Sequence, residues 1–264
     1  MKTIGLLRDG GIATVTLNRP AALNALDMTM AMELGAITSQ LENDDSVRCV
    51  VLRGAGDHFM AGGDIKFFQQ SLADRPEQRK LVMERIIGEI HGAIVRLRRM
   101  PRPVLASVRG AVAGFGVSLM SACDLVVAAD NSYYTLAYCH IGASPDGGST
   151  YALPRSVGTK RAMEMALLGD RFDARRALDV GLVNRVVPLA ALEEETHALA
   201  ERLALGPTAV YGRAKRLINA SLECSLEEQL QAEQDSFVAS SLGADFAEGV
   251  NAFVAKRKAN FVGN

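Results

Sequence analysis

Tryptophan is absent from the 264-residue chain, aromatic side chains make up only 5% of it, and neither sign of charge is in excess, with 29 basic side chains against 30 acidic ones. Each shortage excludes a class of function. A formal charge of −1 and a pI near 6.4 provide no electrostatic footprint for nucleic acid. So few aromatics leave no stacking platform for single strands. The four cysteines, at 49, 123, 139 and 224, include no Cys-x-x-Cys pair, so neither a zinc site nor a disulfide framework is indicated and a reducing compartment is expected. Gly110–Cys123, an apolar stretch without charge, has 14 residues and is too short to span a bilayer. At the N-terminus, Arg8 and Asp9 interrupt the apolar residues that a signal peptide would need. The expectation is a soluble, cytoplasmic protein with no nucleic-acid or membrane partner.

What the chain does have is apolar content, 48% of its residues, and 24 glycines. Its length suits one large domain, or a domain with a short appendage. Ile12–Leu17 alternates and stops at Asn18-Arg19-Pro20, which predicts a strand; Val47–Arg53, Pro103–Val108, Leu125–Ala128 and Gly181–Val187 predict others. Met30, Leu34, Ile37 and Leu41 fall at helical spacing in Thr29–Glu42. Pro76–Arg99 carries an apolar stripe from Met83 to Leu97 with Pro76 in the first turn, which predicts a long helix. A helix is expected from Pro154 to Leu168. Beyond Ala190 the pattern is helical only: Leu192–Leu205, Ala209–Ala220, Leu226–Ser241 and a last segment from Asp245. Alternating strands and helices argue for an α/β core, and the change of pattern divides the chain into residues 1–190 and a helical region 191–264.

Three glycine-rich stretches compete for the chemistry: Phe59–Ile65, Gly110–Gly116 and Gly142–Gly148. Any one of them is readily a turn that needs an unusual backbone conformation. The second is not the dinucleotide fingerprint, because Leu119 stands where its third glycine would be, and no Gly-Lys-Ser/Thr phosphate loop occurs.

Taken together, the stretches are far more specific. Leu17-Asn18-Arg19-Pro20 with Leu23-Asn24-Ala25-Leu26, then Phe59-Met60-Ala61-Gly62-Gly63-Asp64-Ile65, Pro103–Ala106 running to Gly114-Phe115-Gly116, Cys123-Asp124-Leu125, Gly169-Asp170, Gly181-Leu182-Val183 and the ending Phe253–Phe261 resemble the enoyl-CoA hydratase/isomerase (crotonase) superfamily over nearly the whole chain. The resemblance implies an α/β, ClpP-like spiral of ββα turns with a helical C-terminal region, assembly as trimers or dimers of trimers, and a CoA thioester as substrate with no cofactor and no metal. It also implies an oxyanion hole made by the amides of Gly63 and Phe115. Two N–H groups there would stabilise the enolate oxygen, each worth roughly 3–4 kcal/mol. Phe115 opens an apolar helix, whose free N–H groups favour an anion. Coenzyme A would be held around Ala22 and Leu23, by Ala61, Gly62, Asp64, Ile65 and Gly114, by Tyr138, and by Phe253 and Lys256 near the C-terminus.

The departures from the family pattern say most about the reaction. Hydratases of this family use two glutamates, and the matching positions here are Ser118 and Tyr138. Neither can act as a carboxylate acid or base, so the usual hydration route is disfavoured. Asp146, in Ser144-Pro145-Asp146-Gly147-Gly148, resembles the single catalytic acid of Δ3,Δ2-enoyl-CoA isomerases. One carboxylate suffices to carry a proton from C2 to C4. Burial in an acyl pocket would raise it from the ordinary value of about 3.9.

Three alternatives stand beside this reading. One is an atypical hydratase. Another is chemistry like that of 4-chlorobenzoyl-CoA dehalogenase, with Asp146 as nucleophile and a histidine base on the long helix. His91 lies on that helix, but counted back from Pro103 it falls one helical turn, about 5.4 Å, from the expected place. It is therefore read as structural, like His58, His140 and His197. The third is a non-catalytic acyl-CoA-binding homologue. Arg96, Arg98, Arg99 and Arg102 are expected on a solvated face or a subunit contact.

Overall fold

Val104–Val108 is buried at every position, which requires a strand covered on both faces. It is β4 of nine strands in the computed structural model, which describes residues 1–264. The others are β1 (Ile4–Asp9), β2 (Ile12–Leu17), β3 (Cys49–Gly54), β5 (Ala111–Ala113), β6 (Leu125–Ala129), β7 (Tyr133–Thr135), β8 (Phe172–Asp173) and β9 (Arg185–Val187). Six form one sheet in the order β1-β2-β3-β4-β6-β9. Every pair in it is parallel except the β1–β2 hairpin. A smaller sheet, β5-β7-β8, stands beside it.

Parallel neighbours need crossover connections, and the helices supply them. Between β2 and β3 runs α1 (Met28–Glu42), started by Asp27, whose Oδ1 accepts from the Met30 amide at 2.9 Å. Between β3 and β4 run α2 (Ile65–Ser71) and α3 (Pro76–Arg99), and after β5 comes α4 (Phe115–Ser121). The inner face of the sheet packs on α1 and α3 through Leu34, Ile37, Ile90 and Leu97. The outer face, with Cys49, Val51, Leu105 and Val127, is closed by Leu192, Leu199 and Ala200 of a C-terminal helix, Leu192–Ala204. That helix is α8, preceded by α5 (Ser149–Val157), α6 (Thr159–Leu168) and α7 (Ala174–Asp179). It is followed by α9 (Thr208–Ala220), α10 (Leu226–Ser241) and α11 (Ala244–Val254). These last helices leave Phe237, Leu242, Phe253 and Val254 exposed. No helix is long and apolar enough to cross a membrane.

The structure differs from the sequence expectations in three places. The helix expected from Pro154 to Leu168 is two, α5 and α6, broken at Gly158, with Pro154 inside the first. Of Gly181–Val187 only Arg185–Val187 is strand, because the amides of Gly181 and Leu182 instead close the end of α7. Arg102 is not on a solvated face. It is 3% exposed, and its guanidinium donates to the carbonyls of Asp44 and Glu42, tying the end of α1 to the start of β4.

Candidate active site

The chain after β3 lies alongside the chain before α4. The Phe59 amide donates to Arg109 O at 2.9 Å, Met60 N to Ala111 O at 3.0 Å, and Ala113 N to Met60 O at 2.9 Å. This short ladder ends at two glycines. A Cβ on Gly62 (φ +95°) would come 3.2 Å from Ala113 O, and one on Gly114 (φ +49°) would come 3.5 Å from Gly62 Cα. Only glycine combines that backbone with that approach. One residue further along each strand of the ladder stand Gly63 and Phe115, and neither amide donates a hydrogen bond within the chain. Phe115 is the first residue of α4, so its N–H has no intrahelical partner. Two free amides are thereby presented at the junction of the two loops.

A second parallel contact fixes the Gly63 loop from its other side. Ala61 N donates to Leu23 O at 3.0 Å, Leu26 N to Gly62 O at 2.8 Å and Asp64 N to Leu26 O at 2.8 Å. The turn holding Ala22 and Leu23 is thus brought against Ala61–Ile65. Asn24 is fully buried beneath it, and its Nδ2 donates to Ala55 O and His58 O at 2.9 and 2.7 Å. Asp64 caps α2, accepting from Lys66 N at 3.0 Å, and pairs with Arg19 at 2.9 Å. Burial works against its charge, but the Arg19 guanidinium and the α2 amides hold it below the usual carboxylate range. Its role in the single chain is to shape the loop. Ile65 is exposed. Phe253 and Lys256, at the end of α11, are exposed and make no hydrogen bond to this loop within the chain. The structure therefore groups residues 22–26, 61–65 and 114–115 and leaves the C-terminal pair apart.

Asp146 sits in the loop between the short turn Tyr138–Ile141 and α5. The Tyr138 hydroxyl donates to Oδ1 of Asp146. Ser118, on α4 and 1% exposed, donates from Oγ to the Asp146 carbonyl at 2.8 Å, and Ser149 Oγ does so at 3.2 Å. Ser118 and Tyr138, the positions that the resemblance matches to the hydratase glutamates, therefore both hold Asp146. Burial pushes the Asp146 carboxyl above its ordinary range, and the Tyr138 hydrogen bond and the nearby His91 only partly offset that rise. Burial and the neighbouring carboxylate push the Tyr138 phenol far up, so it stays protonated and donates.

His91, expected as a structural histidine, lies against the Asp146 loop. Its Nε2 accepts from the Gly147 amide at 3.4 Å, one residue from Asp146. The helix α3 runs unbroken to Arg99 and brings it to the Asp146 loop. The spacing signal that could have shown this is Ile94, three residues on, which faces Gly148. The other histidines serve structure. His58 Nδ1 accepts from Ala111 N at 3.0 Å, His140 Nε2 meets Gly169 O at 3.1 Å, and His197 pairs with Glu201 at 3.3 Å on the surface.

Two unengaged amides beside a partly buried carboxylate, on this spiral of parallel strands, define an enzyme of the crotonase superfamily acting on acyl-CoA. Comparison with known proteins agrees. Residues 8–264 match the family model described as enoyl-CoA hydratase/isomerase, and the chain belongs to that family. It is 36% identical over 253 residues to the 1,2-epoxyphenylacetyl-CoA isomerase of Escherichia coli K12, covering 96% of this chain and 95% of the relative. It is 34% identical over 254 residues to the mitochondrial enoyl-CoA hydratase of Pongo abelii, covering 96% and 84%. An enoyl-CoA hydratase structure from Polaromonas sp. JS666 superposes with a TM-score of 0.91 at 34% identity, covering 98% of this chain and 99% of that one.

Proposed function

We propose that the enzyme shifts a double bond in an enoyl-CoA from the 3,4 to the 2,3 position, with Asp146 as the single proton carrier. The observation that supports it is that Ser118 and Tyr138, which the family resemblance matches to the hydratase glutamates, both hydrogen-bond Asp146. The ionised Asp146 takes a proton from C2. Electrons move into the thioester carbonyl, and the enolate oxygen meets the amides of Gly63 and Phe115. The same carboxyl then returns the proton at C4, and the double bond ends conjugated to the thioester. An upward-shifted carboxyl suits both halves, since a carrier works best when taking and returning a proton are comparably easy. Ala22, Leu23 and the 61–65 loop would hold coenzyme A. Phe253 and Lys256 would join them from a neighbouring subunit of a trimer, whose contacts the exposed apolar side chains of α10 and α11 would supply.

The position of His91 supports a second reading. Asp146 would attack an aryl carbon bearing a halide, the halide would leave, and His91 would activate the water that hydrolyses the aryl ester. One assay separates the two. The purified enzyme is given 3-enoyl, 2-enoyl and 4-halobenzoyl CoA esters, with conjugation followed by absorbance and water addition or halide loss by mass. Conjugation of the 3-enoyl ester is expected. Halide release without conjugation establishes the second reading instead.

A further inference from the structure

Behind the Asp146 loop lies a cavity of about 860 Å3, bounded by the last turns of α3, by α4 and α5, and by α9. Ser118, Gly147 and Gly148 form the wall it shares with the reaction centre. The opposite wall is cationic. Arg98 and Arg99 reach it from α3, and Arg213 and Arg216 from α9.

None of the four guanidinium groups makes an ion pair. The other charged side chains at the cavity are already matched: Lys215 meets Asp124 at 2.7 Å, and Glu223 is held by Arg155 at 3.2 Å and by Tyr151. Arg98 donates to Asn219 Oδ1 at 2.7 Å, Arg213 reaches Ser240 Oγ at 3.4 Å, and Arg99 and Arg216 make no side-chain hydrogen bond. Cations at the end of α3 suit its dipole, which accounts for Arg98 and Arg99. It does not account for Arg213, which is half-buried on another helix and brings a like charge to the same space, whereas Arg99 and Arg216 are exposed. Guanidinium groups without an ion partner beside a void are complementary to an anion, and their planar forks fit a carboxylate or a phosphate.

The anion is not the phosphate portion of coenzyme A, because no residue of the 22–26 turn or the 61–65 loop lines this cavity. Gly147 follows Asp146 in the chain and Ser118 is hydrogen-bonded to its carbonyl, so the two lining residues put the cavity next to the carboxylate on the side away from the 61–65 loop's residues, none of which line it. We propose that the cavity receives the far end of the acyl chain and that this end is a carboxylate, so that the substrate is the mono-CoA thioester of an unsaturated dicarboxylic acid. This rests on the acyl-CoA site above and names the substrate class for it.

The test measures binding, so that it does not depend on the reaction. Titration calorimetry on the assembled enzyme compares a saturated acyl-CoA ending in a carboxylate with the methyl-ended ester of equal length. The carboxylate ester is expected to bind about tenfold tighter or better, with a preference that shrinks as salt is added. Arg213→Gln and Arg98→Gln should each bring the two affinities closer together. Arg213 is the cleaner probe, since Arg98 also holds Asn219, and the unfolding midpoint of each variant is measured alongside. Equal affinities in the unaltered enzyme, or a preference that both substitutions leave intact, would overturn the proposal. A carboxylate preference without double-bond shift on either chain type would overturn the isomerase reading and leave this one standing.

Discussion

Tyr138 donates its hydroxyl hydrogen bond to the carboxylate of Asp146, and its own phenol is buried and held protonated. The pair is therefore directional: tyrosine can only donate, and aspartate receives. That hydrogen bond favours the charged carboxylate while burial disfavours it, so the basicity of Asp146 is set by two opposing neighbours.

Removing the donor tips this balance. In Tyr138→Phe the carboxylate loses a hydrogen bond of about 1.5–3 kcal/mol, the usual worth of one to a charged group. The Asp146 pKa then rises by roughly one unit or more. In the proposed reaction the base form is the working form, so the acid limb of the kcat/KM profile should move to higher pH by that amount. An unmoved limb would show that Tyr138 does not tune Asp146.

Asp146→Asn should cut kcat by about 10²–10⁴, the range for loss of a general acid–base group, while CoA-ester binding persists. Stability should move the other way. Because the folded Asp146 has a raised pKa, the folded state holds its proton more tightly than the unfolded chain does. Stability is therefore lost as pH rises from the unfolded value toward the folded one, and it stays lost at neutral pH. The Asn variant avoids that loss, and thermal unfolding at pH 7 should show a gain of about 0.5–2 kcal/mol.

Gly147→Ala tests the contact between the Asp146 loop and the proposed oxyanion hole. The new Cβ would come 2.7 Å from the Phe115 ring and 2.9 Å from Ser118 Cβ, at a backbone φ of +60°. Displacement of Phe115 moves one of the two amides, and misplacing a catalytic group by about 1 Å costs on the order of 10²-fold in rate. Adding Phe115→Ala should restore part of the activity, giving a non-additive double-mutant cycle. Full activity in the single variant would separate the loop from the hole.

The four thiols should differ in reactivity. Burial pushes Cys49 up to about 12 and Cys123 further still, whereas Cys139 is exposed. Alkylation of the native enzyme near pH 8, mapped by peptide mass, should modify Cys139 first and leave Cys49 and Cys123 intact.

The long amphipathic elements could be read from the chain because their periodicity is their packing. Ile12–Leu17, Pro76–Arg99 and Leu226–Ser241 have the bounds that their patterns imply. The strands Tyr133–Thr135 and Phe172–Asp173 are too short to carry a period, and they exist because the smaller sheet gives them partners. Gly63, Phe115 and Asp146 stood out through motifs, and the fold leaves the first two amides without a partner in the chain and ties Asp146 to Tyr138 and Ser118. His91 and Arg102 did not stand out, because their roles depend on which loop or helix end folds against them. The cationic cavity was equally hidden: Arg98 and Arg213 are more than a hundred residues apart, and only the docking of α9 on the body brings them to one space.

The ladder that joins Met60 to Ala111 and Ala113 has a consequence for scanning mutagenesis. In the proposed reaction the groups it delivers to the thioester oxygen belong to the main chain, so replacing side chains one at a time with alanine removes neither of them. Such a survey would rank Asp146 and its supporters as the whole apparatus and miss its electrophilic half. At position 115 a proline would delete the N–H itself while tolerating the start of a helix, and backbone ester substitution would do so at either position.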